Sequence, residues 1–305
     1  MTHAISVRGL VKKFKSDQIT FNGWGKSPLS KDKIALDQIN FDVELGKATG
    51  FVGANGAGKT TSLKIILNFI YPDSGEVLFF NQQQLCSEIK AQIGYLPERP
   101  YFYEFLTATE FLKFHWDLLG SPKKDFAQRA QEVLRQVDLY EARNQRLRSF
   151  SKGMLQRVGI AQSILNRPKL LILDEPMSGL DPDGRVMIKS IMHQQIKEGV
   201  TLFFSSHLLQ DMEELCDNII MIEQGKLLYS GALESLIHKK QQKVELFYKE
   251  KQTQLILKDK VTQKALQEKI DELRKEGIEI LRIQPESVSL ESAFVDLRHR
   301  VEVDL

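Results

Sequence analysis

The chain has 305 residues, 42% of them hydrophobic and 27% charged, with 42 basic against 40 acidic side chains. That length suits one large α/β domain with a smaller appendage, and the net charge of +2 gives no sign of nucleic-acid binding. The two cysteines, Cys86 and Cys216, stand far apart and outside any CxxC pair or His-rich cluster, so they read as free thiols and cannot build zinc fingers.

Met1 to Lys15 carries no apolar run followed by a small-residue cleavage site, so no signal peptide is expected. No stretch approaches the ~18 consecutive apolar residues of a membrane span, so a role at a membrane requires another chain to supply the spans. Residues 4–14 (AISVRGLVKKF) read as a short strand and a basic turn, and the polar segment 16–33 as an exposed loop or hairpin. Residues 39–52 suit two strands, the second buried, and are followed by glycines and a helical run to Ile70. A further strand, GEVLFF, starts at Gly75. Helical spacing over 108–139 marks a helical subdomain, about 100–165, inserted into the α/β core. KLLIL (169–173) and VTLFFS (200–205) are near-continuous apolar runs, the mark of parallel strands covered on both faces. After residue 235 the texture changes. Two strand-like runs, KVELFY and TQLILK, a helix with Leu266, Ile270 and Leu273 on one face, IEILRI and a last helix from Leu290 predict a small α+β C-terminal appendage over 236–305.

The first motif with chemistry is GANGAGKTT: Gly53, Ala54, Asn55, Gly56, Ala57, Gly58, Lys59, Thr60 and Thr61. It matches G-x-x-x-x-G-K-[ST] between an expected strand and an expected helix. Glycines let successive backbone N–H groups turn inward, and the helix N-terminus adds partial positive charge. Lys59 is placed for the β- and γ-phosphates of a nucleotide, and the Thr60 hydroxyl for Mg²⁺. The second motif, KLLILDEP, is an apolar strand that ends in two acids. Asp174, at the carboxyl end of a core strand, is placed to meet Mg²⁺. Glu175 is placed to orient and deprotonate a water.

Between these motifs lies SFSKGMLQRVGIAQSIL (149–165), after them MSGLDP (177–182), and then FFSSH ending in His207. In this order the motifs resemble those of the ABC-type ATPases, over residues 4 to about 235. The resemblance implies a P-loop NTPase core of the ABC type, binding ATP with Mg²⁺ in a head-to-tail dimer with a second ATPase subunit, itself or a paralogue. Ser151 and Gly153 of one subunit would contact the γ-phosphate held by the other, and Ser151 also stands where a helix N-cap belongs. His207 would be a γ-phosphate contact and Asp181 an interface residue, the alternative for Asp181 being a structural turn. Phe14 stands where the family stacks an aromatic ring on adenine, the alternative being a core phenylalanine.

Two departures stand out. FSKGM replaces the commoner LSGGQ, a form familiar among exporter-like members, and Glu98 replaces the family's usual glutamine while remaining a possible Mg²⁺ ligand. The closing VSLESAFVDL, from Val288, is similar to the end of the short C-terminal extensions of exporter subunits. The resemblance therefore implies an ATPase that drives a separate transmembrane permease subunit from the cytoplasmic face of the cell membrane. The aromatic segment 97–106 would be its coupling surface. The alternative, a soluble ABC ATPase working on nucleic acid or ribosomes, would call for long coiled coils, tandem ATPase halves or zinc fingers, and none is present. Asp181-Pro-Asp-Gly184 fits D-x-x-G, yet no N-K-x-D motif accompanies it, which sets a GTPase switch aside. Glu245, Glu250 and Asp259 interrupt the lysine-rich segment from His238 to Lys260, which reads as a solvated face rather than an anionic-ligand patch.

Overall fold

Strands buried on both faces and strands that alternate build two different sheets in the N-terminal part of the chain. The computed structural model describes residues 3–15, 20–22, 25–27, 33–80, 84–238, 243–249, 256–262, 264–285 and 290–303. The chain divides into two compact units, Met1–Ser230 and Gly231–Leu305.

In the first unit, β1 (His3–Phe14) pairs antiparallel with β4 (Lys33–Glu44) on one side and with β6 (Ser74–Phe79) on the other. The expected short strand and basic turn are thus one long strand through Lys12 and Lys13. Pairing with β4 continues to Phe14, and cross-strand bonding outweighs the local preference of the lysines. Between β1 and β4, β2 (Thr20–Asn22) and β3 (Gly25–Ser27) form an antiparallel ribbon, and the rest of 16–32 lies outside the described residues.

The central sheet contains β5 (Ala48–Val52), β7 (Ile93–Leu96), β8 (Leu170–Leu173), β9 (Thr201–Ser206), β10 (Asn218–Glu223) and β11 (Lys226–Ala232), in the order β11-β10-β5-β9-β8-β7. From β10 to β7 every neighbouring pair is parallel, and every residue of β5, β8 and β9 is buried. Phe41, Phe51 and Phe203 bring the two sheets together, with ring centroids 5.5–6.1 Å apart. The helices are α1 (Lys59–Ile66), α2 (Ser87–Lys90), α3 (Ala108–Leu118), α4 (Phe126–Gln136), α5 (Lys152–Ile164), α6 (Pro182–Lys197) and α7 (Leu209–Leu215). Three of them, α3 to α5, lie in the chain between β7 and β8 and pack on one another. A capping box fixes the start of α3: the Thr107 hydroxyl accepts from the Glu110 N–H, and the Glu110 carboxylate accepts from the Thr107 N–H.

The second unit starts with α8 (Leu233–His238) and continues with β12 (Lys243–Lys249), β13 (Ile256–Thr262), α9 (Leu266–Lys275), β14 (Glu279–Pro285) and α10 (Leu290–Val303). Its antiparallel sheet runs β13-β12-β14. The run TQLILK is displaced: 253–255 fall outside the described residues, and β13 instead continues through Lys258-Asp259-Lys260. The charges there occupy an edge strand, where polar side chains stay in water. Leu246, Leu273, Leu290 and Ala293 are buried in this unit. Among the described residues, no helix of the chain is long and apolar enough to cross a membrane.

Candidate nucleotide site

The loop between β5 and α1 has the conformation that its glycines dictate. Gly56 and Gly58 take φ of +82° and +113°, a region that L side chains rarely adopt. A Cβ on Gly53 would stand 2.4 Å from the Ile222 carbonyl oxygen, so this position needs glycine for space instead. The loop closes over Lys59, which is buried, and its Nζ donates to the Gly53 carbonyl at 2.6 Å. The same ammonium stands 3.5 Å from Glu175 Oε1.

Two acids arrive from the end of β8. Asp174 is buried, its N–H donates to the Leu96 carbonyl at 2.8 Å, and its Oδ1 accepts from the Ser205 hydroxyl at 2.6 Å. Burial pushes the Asp174 carboxyl above its ordinary range, as do the nearby charges of Glu98 and Glu175, while hydrogen bonds from Ser205 and Thr60 pull it back. Glu175 takes φ of +50°, its N–H donates to Ser205 Oγ at 2.8 Å, and its Oε2 accepts from His207 Nδ1 at 2.8 Å. Ser205 therefore bonds both acids from the neighbouring strand β9.

These groups open onto a cleft of about 570 Å³. Phe14 and Lys33 line one part of it, and Asn55, Gly56, Gly58, Lys59, Thr60 and Thr61 its floor; Glu98, Glu175, Ser178 and His207 also face it. Phe14 is 41% exposed, which overturns its alternative as a core residue. It pairs with Lys33 across β1 and β4, and this register brings both side chains to the cleft. Ala57 is buried behind the loop.

The oxygen set also suits a cation. Thr60 and Glu98 both lie close enough to the buried Asp174 carboxylate to act on its charge. Such crowding of hard oxygen ligands favours a hard divalent ion. Among the described residues, no group of three or more His, Cys, Asp or Glu side chains could hold a metal by itself.

A family model described as ABC transporter matches residues 36–178. The chain is 39% identical over 214 residues to the bacitracin transport ATP-binding protein BcrA of Bacillus licheniformis, covering 69% of each chain. The chain belongs to the ABC transporter family of ATP-binding proteins. It is also 43% identical over 211 residues to an uncharacterized ABC transporter ATP-binding protein, all4389, of Nostoc sp.. That match takes in 68% of this chain but only 63% of the Nostoc protein, less than two thirds of that relative's length. Among solved structures, an ATP-binding subunit of an ABC transporter superposes with a TM-score of 0.64 at 28% identity, over 77% of this chain and 92% of its own. The α/β fold described above is thus the P-loop fold of the ABC cassettes.

Within this ABC cassette, Ser151, Gly153 and Asp181 lie outside the residues that line the cleft. Ser151 caps α5, accepting from the Met154 N–H at 3.2 Å, and neither it nor Gly153 lines the cleft of its own chain. Asp181 caps α6, its Oδ1 accepting from the Gly184 N–H at 3.0 Å. The aromatics of 97–106 divide: Phe102 packs on Phe111 and Tyr103 on Phe114, while Tyr101 and Phe105 are 85% and 67% exposed. The motif reading missed Ser205 and Lys33. The serine pair in FFSSH was a visible signal, since a polar pair closing an apolar strand beside a sheet's carboxyl edge reaches whatever binds there. Lys33 had no local signal, because its place depends on pairing across the 16–32 segment.

Proposed function

We propose that this chain is the ATP-hydrolysing subunit of an ABC transporter, of the exporting kind. It drives a separate membrane-spanning permease through ATP-dependent closure of a dimer at the cytoplasmic face of the cell membrane. The observation that carries the hydrolytic reading is the setting of Glu175, between Lys59 at 3.5 Å and His207 at 2.8 Å, on the rim of the phosphate-loop cleft.

In this reading Phe14 stacks on the adenine, and the loop amides from Asn55 to Thr61, with Lys59, take the phosphates. Thr60, Asp174 and Glu98 would hold Mg²⁺, whose positive charge would offset the charge of the phosphate oxygens. Glu175 orients a water toward the γ-phosphorus and takes its proton as the new P–O bond forms and the β–γ bridging bond breaks. His207 holds the Glu175 carboxylate by one oxygen and faces the γ-phosphate. Ser151 and Gly153 come from the second ATPase subunit, a copy of this chain or a paralogue, and complete the site; their place outside their own cleft supports this. Transport is supported by the relative named for bacitracin transport. Export is supported by the FSKGM signature and the closing VSLESAFVDL.

The test is phosphate release from ATP and Mg²⁺ by the purified chain, compared with Glu175→Gln. Turnover that Glu175→Gln removes supports the reading. A Glu175→Gln protein as fast as the parent would refute the assignment.

A further inference from the structure

The cleft explains what Glu175 does but not what holds it there. Its φ of +50° is unusual for any non-glycine residue, and it precedes Pro176, whose ring narrows the conformations open to its neighbour. Such a backbone persists only where the surroundings over-determine it. On its N-terminal side the tie is visible, from the Glu175 N–H to Ser205 Oγ at 2.8 Å. On its C-terminal side the Glu175 carbonyl accepts from the Ser178 N–H at 3.1 Å, and Pro176, which has no N–H, offers only its carbonyl. That carbonyl accepts from Gln156 Nε2 at 2.8 Å, and Gln156 is 7% exposed.

Gln156 belongs to α5, the helix that Ser151 caps. The far end of this helix is held in turn, since the Arg129 Nε donates to the Leu165 carbonyl at 2.9 Å. One buried amide therefore joins the helix that begins at Ser151 to the turn that carries Glu175. We propose that Gln156 is a positioning residue for hydrolysis: it fixes the Glu175 turn to α5, so that the placement of Ser151 against a second subunit's nucleotide sets the geometry of Glu175 in its own cleft. The inference rests on the function proposed above. Gln156 does not line the cleft, and its effect passes through Pro176.

The experiment uses the full-length chain and three variants: Gln156→Met, which keeps the length but loses the donor; Gln156→Asn, which keeps the amide but falls short of the carbonyl; and Gln156→Met combined with Glu175→Gln. ATP affinity is measured by titration, turnover by phosphate release, and folding by thermal melting. The expected result is a kcat about 10- to 100-fold lower in both single variants, the size of effect that misplacement alone produces. ATP affinity should stay within about twofold, and the combined variant should be no slower than Glu175→Gln alone, since groups acting as a unit are not additive. Turnover at the parental rate in Gln156→Met would overturn the proposal. So would loss of ATP binding or of the cooperative melt in both single variants, which would make the bond a general support of the fold. So would a combined variant slower than Glu175→Gln. An inactive parental protein counts against the proposed function itself, whereas an active parent with an equally active Gln156→Met counts against Gln156 alone.

Discussion

The Glu175 carboxylate and the His207 ring meet at 2.8 Å, Oε2 to Nδ1, beyond the ends of β8 and β9, which lie side by side and parallel. The contact occupies one carboxylate oxygen, and the other stands 3.5 Å from the Lys59 ammonium. Glu175 is thus held by two cationic or donor groups of the phosphate cleft. Lys59 also donates to the Gly53 carbonyl of the loop, so its own place does not depend on Glu175.

This separation predicts different failures. Lys59→Ala should lose ATP binding, because it removes the ammonium of the loop. Glu175→Gln should bind ATP within about threefold of the parent and lose turnover by roughly 10²- to 10⁴-fold, the range for a removed general base. ATP titration and phosphate release separate the two. In size-exclusion chromatography with ATP, Glu175→Gln should run as a stalled dimer.

Asp174 predicts a conflict between stability and function. Burial holds its carboxyl above the ordinary value of 3.8, so the native state keeps the proton more tightly than the unfolded chain does. Unfolding then releases a proton, and the stability of the nucleotide-free protein falls as pH rises from 3.8 through the raised folded value. Asp174→Asn removes the charge and keeps an acceptor for Ser205. In chelator at neutral pH it should melt higher by a few degrees, on the order of 1 kcal/mol, while losing ATPase activity. Thermal melting across pH checks both halves; a lower melting temperature for Asp174→Asn at neutral pH would contradict the argument.

What the sequence reveals here depends on whether a residue's role is local. Gly56 and Gly58 are legible because positive φ selects glycine within the loop itself, and Asp174 because an acid closing an apolar strand has little else to do. Ser205 acts through β8, its neighbour in the sheet but some thirty residues away in the chain. FFSSH shows a polar pair closing the strand, but which acids it serves is decided only by β8 lying beside β9. Lys33 is placed by a register set across a polar segment with no hydrophobic pattern, and Gln156 reads as any glutamine on a helix until Pro176 appears beside it. The charged half of β13 was hidden for the opposite reason: its residues look like a loop, and only pairing with β12 makes them a strand.

Gly153 offers a test of the second subunit. A Cβ there would meet nothing closer than Leu180 Cδ2 at 3.9 Å and Ser151 Oγ at 4.0 Å, so its own chain has room for alanine. Glycine inside a helix costs about 1 kcal/mol relative to alanine. Gly153→Ala should therefore raise the melting temperature of the isolated protein and lower its ATPase activity, because the added methyl meets only the partner's nucleotide. Ser151→Arg should abolish activity and leave ATP binding to the monomer intact. Full activity in Gly153→Ala, or turnover by a demonstrated monomer, would remove the sandwich.

The exposed aromatics are where the proposed permease would dock. Tyr103 and Phe102 are spent on the chain's own α3, through Phe114 and Phe111, and their removal would loosen that helix as well as any partner. Tyr101 and Phe105 are 85% and 67% exposed, and Phe114 beside them adds to the patch at 39%. Contiguous exposed apolar side chains of this size mark binding surfaces more often than bare solvent faces, and aromatics are enriched at the centres of such surfaces. The segment also begins at the strand end that carries Glu98, so a partner seated on it lies one loop away from the cleft. Tyr101→Ala with Phe105→Ala should leave the melting temperature within about 2 °C of the parent, since truncation of exposed side chains costs little. ATP hydrolysis by the purified chain should be unchanged. Membrane association should fall when the double variant is expressed with the candidate permease and the cells are fractionated. Parental recovery in the membrane pellet would show that the patch is not the docking surface, and a large drop in melting temperature would show that both rings serve the fold.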